Sequence, residues 1–395
     1  MTGPILVLNC GSSSIKFALF DAAQAPLPRR PQWGGKVDGI TGEQPGFVES
    51  GCRREPLALP AGQPYRAALD FIRQRLQVHL AGRRLAGVAH RVVHGGTRYA
   101  APVRLDAAVL VDLRSYIPLA PLHQPFALEA IDAMLRADPS LPQVACFDTA
   151  FHHTMPLLEQ LLPLPYAAWE RGLRRYGFHG LSYEYQSIVL AERYGERARG
   201  RCIVAHLGSG ASLCAMQDLQ SISTTMGFSS LDGLMMGTRC GALDPGALIY
   251  LMEIEKLSLE AVGRVLYHES GLLGLSGVSD DPRVLLREEA GNPRVQLAMA
   301  MYVRRIVREI GALTAVLGGL DMLVFTAGVG ENNPVIRERV CQGLAYLGLV
   351  LDPAANTAKD PSMISAASSK LLVAVEPTDE EWIAAVHGVE LLGSG

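Results

Sequence analysis

The chain has 395 residues, of which 36 are basic and 39 acidic, and 49% of its residues are hydrophobic. This length is enough for about two or three domains with buried cores, and the apolar fraction excludes a disordered chain. A formal net charge of −3 disfavours a general nucleic-acid or membrane-surface binder.

Targeting signals and zinc-binding patterns are missing from the sequence. No apolar run reaches the roughly 18 residues of a membrane span, and the first residues lack the basic region of a signal peptide. The seven cysteines are scattered and contain no Cys-x-x-Cys pair, which favours reduced thiols. Adjacent His152 and His153 point apart, which disfavours a zinc site. We therefore expect a cytoplasmic protein.

Strands and helices alternate along the chain, which predicts an α/β protein. The first two strands, 5–8 and 15–20, flank a serine-rich turn at 11–14. Later strands are predicted at 86–93, 144–147, 203–207, 211–216, 322–326 and 371–375. Helices are predicted at 65–80, 126–135, 245–252, 295–317, 333–347 and 379–392, the last with Asp379 as N-cap. Segment 22–64 is polar and rich in Pro and Gly, and we interpret it as an irregular insertion.

A second hairpin has the same layout as the first. Strands 203–207 and 211–216 flank a turn at 208–210, and Gly208 aligns with Gly11. Two matching hairpins, one in each half, favour a duplicated domain with a site between the copies. The alternative is a chance recurrence of a common motif.

Three glycine-rich turns follow strands, at 11–14, 208–210 and 328–332. Such turns present backbone N–H groups that bind phosphate, and together they indicate a nucleotide site. None matches the Walker pattern or the dinucleotide-binding pattern. Lys16, one of only 5 lysines beside 31 arginines, is either a point charge for phosphate or a solvated strand residue.

Four charged or titratable residues stand at positions typical of active sites. Arg91 at a strand end either clamps a carboxylate or phosphate or forms a surface ion pair. Asp148, at a strand end between aromatic residues, is a metal or acid–base group or a helix N-cap. His179 and Arg239 lie close to glycines that permit close backbone approach, although ordinary turns show the same pattern.

Eight short motifs run from residue 8 to residue 381. They are LNCGSSSIK (8–16), HRVVHGG (90–96), PLAPLH (118–123), FDTAFH (147–152), RRYGFHG (174–180), GLMMGTR (233–239), FTAGVGEN (325–332) and TDEE (378–381). In this order they resemble the motifs of the acetate kinase family (acetate and propionate kinases), within the acetate and sugar kinase/Hsp70/actin superfamily. The resemblance covers nearly the whole chain.

The resemblance implies a duplicated two-domain actin-like/ribonuclease H-like fold with the active cleft between the domains. Residues 1–149 and 382–395 would form the N-terminal domain, and 150–381 the nucleotide-binding and dimerisation domain. The implied reaction is reversible, in-line phosphorylation of a short-chain carboxylate, acetate first, by ATP. It yields an acyl phosphate and ADP and uses Mg²⁺, with Mn²⁺ as an alternative. The implied assembly is a homodimer.

The resemblance also assigns roles to individual residues. Arg91 and Arg239 would bind the substrate and the phosphoryl group in transfer, and Asp148 would orient Mg²⁺ or Arg91. His179 would stabilise the transition state, with His123 as a second active-site histidine. Such cations fit the chemistry, because the acceptor carboxylate is already a nucleophile and the difficulty is to bring two anions together.

Further residues receive binding roles from the same resemblance. The acyl pocket would be formed by Val93, Leu122 and Phe178 together with Arg91, and the metal would be held by Asn9 and Glu380. The nucleotide would contact Ser12, Ser14, Lys16, His206, Leu207, Gly208, Ser209, Gly210, Asp281, Pro282, Arg283, Gly328, Val329, Gly330, Glu331 and Asn332.

The chain departs from the family's pattern at a few positions. Ser209 and Gln124 each replace an asparagine, Leu181 a threonine, Tyr183 a histidine, and Ser230 a proline that helps to wall the acyl pocket. These changes indicate a divergent branch and leave the acyl-chain preference open. The alternatives are a propionate- or butyrate-preferring kinase, a non-catalytic actin/Hsp70-like ATP-binding module, or a pseudo-enzyme in which Ser209 marks lost ATP binding.

Overall fold

The computed structural model describes residues 3–60, 62–121 and 123–393. The chain forms two compact units. Unit 1 comprises the residues up to Phe151 together with the segment from Asp379 onward, and unit 2 comprises His152–Thr378. Within the described ranges, no helix is long and apolar enough to cross a membrane.

The elements are numbered in chain order. The strands are β1 (Pro4–Cys10), β2 (Ser14–Asp21), β3 (Trp33–Asp38), β4 (Gly46–Glu49), β5 (Glu55–Pro56), β6 (Gly87–Val92), β7 (Val103–Arg104), β8 (Gln143–Phe147), β9 (Cys202–Leu207), β10 (Ala211–Gln217), β11 (Gln220–Thr224), β12 (Met322–Thr326) and β13 (Leu372–Val375). The helices are α1 (Pro64–Leu80), α2 (Ala107–Ser115), α3 (Gln124–Ala137), α4 (Leu157–Gln160), α5 (Tyr166–Glu170), α6 (Gly180–Tyr194), α7 (Pro245–Glu253), α8 (Leu259–His268), α9 (Gly271–Ser276), α10 (Pro282–Glu288), α11 (Pro293–Leu317), α12 (Ala327–Asn332), α13 (Pro334–Gly343), α14 (Pro353–Asn356) and α15 (Glu380–Gly393).

Unit 1 is built on a mixed sheet of order β5-β4-β3-β2-β1-β6-β8-β7. Leu6 and Leu8 of β1 pack in one apolar core with Ile72 of α1. On the other face of the sheet, a carbon added to Gly388 of α15 would collide with Ile5. Since successive strand side chains alternate between faces, α1 and α15 cover opposite sides of this sheet.

Unit 2 is built on a sheet of order β11-β10-β9-β12-β13. Hairpin β9–β10 is antiparallel, and β12 pairs in parallel with β9 and with β13. Unit 1 contains the same five-strand pattern as β3-β2-β1-β6-β8, with antiparallel and parallel pairs in the same places. The expected duplication of an α/β domain, with one matching hairpin in each copy, is therefore confirmed.

Segment 22–64 is not wholly irregular, and that interpretation was wrong for three stretches. Strands β3, β4 and β5 extend the sheet of unit 1 beyond β2. Gly35 of β3 passes so close to β4 that an added side-chain carbon would overlap the carbonyl of Val48. Glycine has no side chain, which permits this close pairing of the strands. For the same reason the segment lacks the alternation of apolar and polar residues from which a strand is predicted.

Two other expectations change in detail. The glycine-rich turn at 328–332 belongs to the short helix α12, which follows β12 directly. The helix expected at 333–347 ends at Gly343 as α13 and is followed by a 3-10 turn. Asp379 does cap α15, because its Oδ1 accepts from the backbone N–H of Trp382 at 2.8 Å.

Candidate functional site

The ends of two parallel strands bring Arg91 and Asp148 together in unit 1. Arg91 lies on β6, and Asp148 directly follows β8, the neighbouring parallel strand. Nε of Arg91 lies 2.9 Å from Oδ1 of Asp148, and Nη2 lies 2.6 Å from Oδ2. This bidentate pair fixes the plane of the guanidinium.

The remaining terminal nitrogen of Arg91 contacts both predicted metal-binding residues. Nη1 lies 3.0 Å from Oε2 of Glu380 and 3.2 Å from Oδ1 of Asn9, which is the register partner of Arg91 on β1. These contacts use four of the five N–H groups of Arg91, leaving one on Nη2. Four predicted site residues are thus joined in one network: Asn9, Arg91, Asp148 and Glu380.

The charged groups of this network shift one another's pKa values. Burial alone would lower the pKa of Arg91, but the carboxylates of Asp148 and Glu380 raise it above its usual range. Burial raises the pKa of Asp148, and the guanidinium of Arg91 opposes that rise. The arginine therefore stays cationic at any physiological pH and presents a fixed positive charge.

The oxygen atoms around Arg91 fit a hard divalent cation that also binds phosphate. Glu381, which the sequence reasoning missed, joins the group by accepting from Nδ2 of Asn9 at 3.1 Å. Asp148, Glu380 and Glu381 carry more negative charge than one arginine balances. Within the described residues, no three His, Cys, Asp or Glu side chains converge as a ready metal cage. Mg²⁺ favours a site with a few carboxylate or amide ligands in which phosphate and water complete its coordination.

The other predicted residues of unit 1 lie on neighbouring loops. Ser12 is exposed in the hairpin turn, and Lys16 is exposed on β2. The turn closes through a bond from the N–H of Gly11 to the carbonyl of Ser14 at 2.8 Å. Lys16 has no ion pair within the described part of the chain and lies opposite Asn9 in the β1–β2 register. Val93 is half-buried after β6, and His123 is half-buried at the N-terminus of α3. Leu122 lies outside the described residues.

A second group of predicted residues meets around the glycine turn of unit 2. His179 precedes α6 with a left-handed backbone (φ 60°), a conformation that is uncommon outside glycine and concentrates at functional sites. A side-chain carbon added to Gly210 would lie 3.3 Å from Nε2 of His179 and 3.6 Å from Nη1 of Arg239. Both side chains thus reach the turn at 208–210.

Two histidine rings and the guanidinium of Arg239 pack around this turn. His179 stacks on His206, with ring centroids 4.1 Å apart. Nδ1 of His206 lies 2.8 Å from the hydroxyl of Ser182. Burial lowers the pKa of Arg239, which marks a cation held largely out of water and suited to an anionic ligand.

The remaining predicted residues of unit 2 have structural contacts of their own. Glu331 turns back onto its own helix and accepts from the N–H of Ala327 at 2.8 Å. Asp281 caps α10 and pairs with Arg283 at 2.7 Å. Phe178 is buried. The remaining members of the predicted nucleotide set lie as follows: Leu207 ends β9, Ser209 is exposed in the glycine turn, Pro282 begins α10, and Gly328, Val329, Gly330 and Asn332 lie in α12.

Comparison with known proteins shows the family of this chain. Residues 4–386 match the model of a family described as the Acetokinase family. The chain belongs to the acetokinase family. It is therefore an enzyme, a kinase that phosphorylates a carboxyl group, and the resemblance to this family and the duplicated α/β fold are confirmed.

Individual members of the acetokinase family match over almost their full length. The acetate kinase of Rhodopseudomonas palustris (strain ATCC BAA-98 / CGA009) is 47% identical over 400 residues, covering 100% of both chains. The crystal structure of Porphyromonas gingivalis acetate kinase superposes with a TM-score of 0.85 at 37% identity, covering 97% of this chain and 98% of that one. A propionate kinase from Francisella tularensis superposes with a TM-score of 0.89 at 34% identity, covering 98% of each.

Several side chains that contact the predicted site residues received no functional role in the sequence analysis. Glu381, Tyr183, Ser212 and Arg337 are of this kind. Their partners are other side chains or backbone groups that only folding brings near, so no local spacing reveals them.

Proposed function

We propose that this chain transfers the γ-phosphoryl group of ATP to acetate, in line and reversibly, giving acetyl phosphate and ADP. The observation that carries the proposal is the network in which Asp148, Glu380 and Asn9 hold the guanidinium of Arg91 with one N–H to spare. The name of the 47% identical relative, acetate kinase, supports acetate as the acceptor.

The reaction needs fixed positive charge more than it needs a base. The carboxylate of acetate is a nucleophile without deprotonation, but it is repelled by the phosphates of ATP. A cation already oriented by buried carboxylates does not have to reorganise when the transferred group becomes more negative. Arg91 would bind the acceptor or the transferred group through its remaining N–H, and Asp148 would hold it in place.

The residues around the glycine turn of unit 2 would act on the phosphoryl group. Arg239 would contribute its charge and His179 a hydrogen bond. The turns at 11–14, 208–210 and 328–332, with 281–283, would bind the nucleotide. Mg²⁺, held through Asn9 and Glu380, would supply further charge neutralisation on the phosphates.

Propionate is the second candidate acceptor. The superposition on a propionate kinase favours it, and so does Ser230, which is smaller than the proline of the family's pattern. Val93 and Phe178 would contact the acyl chain.

We also propose a homodimer that works in the reducing cytoplasm. None of the seven cysteines, all within the described ranges, forms a disulfide. Helix α7 of unit 2 has no buried residue and exposes Ile249, Tyr250 and Met252. A second copy of this chain fits this apolar helix, because homodimer interfaces are more apolar than the rest of a protein surface.

The function is tested by incubating the enzyme with ATP, Mg²⁺ and acetate, propionate or butyrate, and trapping acyl phosphate as the hydroxamate. We expect acetyl phosphate to form fastest. Arg91→Ala and Arg239→Ala should each lower kcat/KM by about 10³-fold or more, the range for an arginine that stabilises a phosphoryl in transfer.

Two surface arginines serve as matched controls. Arg114 and Arg308 form exposed ion pairs with Asp132 and Glu309, and their alanine variants should keep wild-type rates. No acyl phosphate from any of the three acids at millimolar concentration would refute the proposal. A loss below about tenfold in the Arg91 and Arg239 variants would contradict their roles.

A further inference from the structure

Two buried hydroxyl groups lie behind His179 in unit 2. The hydroxyl of Ser212, on β10, lies 2.8 Å from Nδ1 of His179. The same hydroxyl lies 2.6 Å from that of Tyr183, one turn into α6. Ser212 and Tyr183 are both fully buried. The three side chains form a continuous chain of hydrogen bonds that ends on one ring nitrogen of the histidine.

The chemistry of the three groups sets the direction of these bonds. A phenol is the strongest donor of the three and an imidazole nitrogen the strongest acceptor. The Tyr183 hydroxyl therefore donates a hydrogen bond to Ser212, and the Ser212 hydroxyl donates one to Nδ1 of His179. An imidazole that accepts at Nδ1 and is neutral carries its proton on Nε2.

The other ring nitrogen faces the glycine turn. Nε2 of His179 would lie 3.3 Å from a carbon added to Gly210, and Arg239 approaches the same point. The ring of His206 stacks on that of His179, with centroids 4.1 Å apart, and restricts its rotation. The titratable or charged groups that face His179 include His206, Arg239 and Tyr183, the last through Ser212.

We propose that Tyr183 and Ser212 are positioning residues that keep His179 in the tautomer with its proton on Nε2, as a hydrogen-bond donor aimed at the turn 208–210. The proposal rests on the proposed function in taking a phosphoryl oxygen as the acceptor of that bond. Tyr183 stands where the family's pattern has a histidine. Burial raises the pKa of Tyr183 well above its usual value, so its hydroxyl keeps its proton, whereas a histidine would switch between donor and acceptor.

The test is Tyr183→Phe, which removes one hydroxyl and keeps the ring. We expect kcat for acetyl phosphate formation to fall about tenfold, the effect of one ordinary buried hydrogen bond on a barrier. KM for acetate and for ATP should stay within about twofold, because the interaction lost belongs to the transition state. Nitrogen NMR of His179 should show a protonated Nε2 in the wild type and a mixture of tautomers in the variant.

The matched control is Tyr302→Phe on α11, which removes a hydroxyl from another buried tyrosine of the same unit. It should change neither kcat nor the His179 signals. If Tyr183→Phe does not fold, Ser212→Ala breaks the same chain of hydrogen bonds and should give the same two results.

Two outcomes would overturn the proposal. One is a wild-type His179 that carries its proton on Nδ1. The other is a variant with unchanged kcat and unchanged NMR signals. If the wild type makes no acyl phosphate, the proposed function fails, while the NMR measurement still decides whether the hydrogen-bond chain sets the tautomer.

Discussion

Arg337, on α13, is buried without a carboxylate partner among the described residues, and it ties the third glycine turn to the rest of unit 2. Its guanidinium donates to the carbonyls of Gly330 and Glu331 at 2.9 and 2.7 Å. It also donates to Oδ1 and to the backbone carbonyl of Asn356 at 2.8 and 2.6 Å. All four acceptors are neutral, and the side chain is 1% exposed.

Replacing Arg337 by methionine keeps the apolar stem and removes all four bonds. Each buried acceptor left without a donor costs about 1–3 kcal/mol. Burial lowers the pKa of Arg337, which shows that the buried cation itself has a desolvation cost. Removing the cation removes this cost and offsets part of the destabilisation. We expect a net destabilisation of about 3–5 kcal/mol, which is a large effect for one substitution. Because the turn at 328–332 loses its anchor, KM for ATP should rise while KM for acetate stays unchanged.

The assay for Arg337→Met is thermal unfolding with parallel steady-state kinetics. For a unit of this size, about 3 kcal/mol lowers Tm by about 6–12 °C. Arg339→Met is the control on the same helix, because Arg339 is partly exposed and paired with Glu289 at 2.7 Å, and such a pair contributes at most about 1 kcal/mol. Equal Tm values for the two variants, or an unchanged KM for ATP, would refute the reasoning.

Two further changes test the site and the core. Gly210→Ala should lower kcat/KM at least about tenfold with little change in Tm. The added methyl group would lie 3.3 Å from Nε2 of His179, and a small displacement of a catalytic group lowers the rate far more than the stability. Wild-type kinetics in this variant would contradict the placement of His179. Acid should destabilise both units, because burial lowers the pKa of His90 in unit 1 and of His152 in unit 2 from 6.5 to about 4. A base with a depressed folded pKa contributes stability that is complete above pH 6.5 and is lost as the pH falls toward 4, about 2 kcal/mol for each histidine at pH 5. Tm measured from pH 7 to pH 5 should fall accordingly and fall less in His90→Gln, and a flat profile would contradict the assignment.

Local patterns were sufficient for much of the fold. Strands β1 and β2 were predicted because an apolar run, a serine turn and a second run lie within a few residues of each other. Helix α11 was predicted because its apolar spacing persists over many turns. Arg91 and Asp148 were singled out because each stands at a strand end, where the chain leaves the sheet.

Local spacing could not show which of these residues lie together, and before the structure only the family resemblance grouped them. Asn9 meets Glu380 and Glu381 across 371 and 372 residues of chain, and no spacing rule reaches so far. Strand β3 pairs with the edge of β2, and β4 pairs with β3 in turn. These strands are stabilised by pairing with their neighbours more than by the β-propensity of their own residues. The protonation state of His179 depends on Ser212 and Tyr183, whose hydroxyls become partners only when β10 and α6 pack. Residue types thus determined which chemistry was available, and the packing of distant segments in a water-poor interior determined which groups perform it.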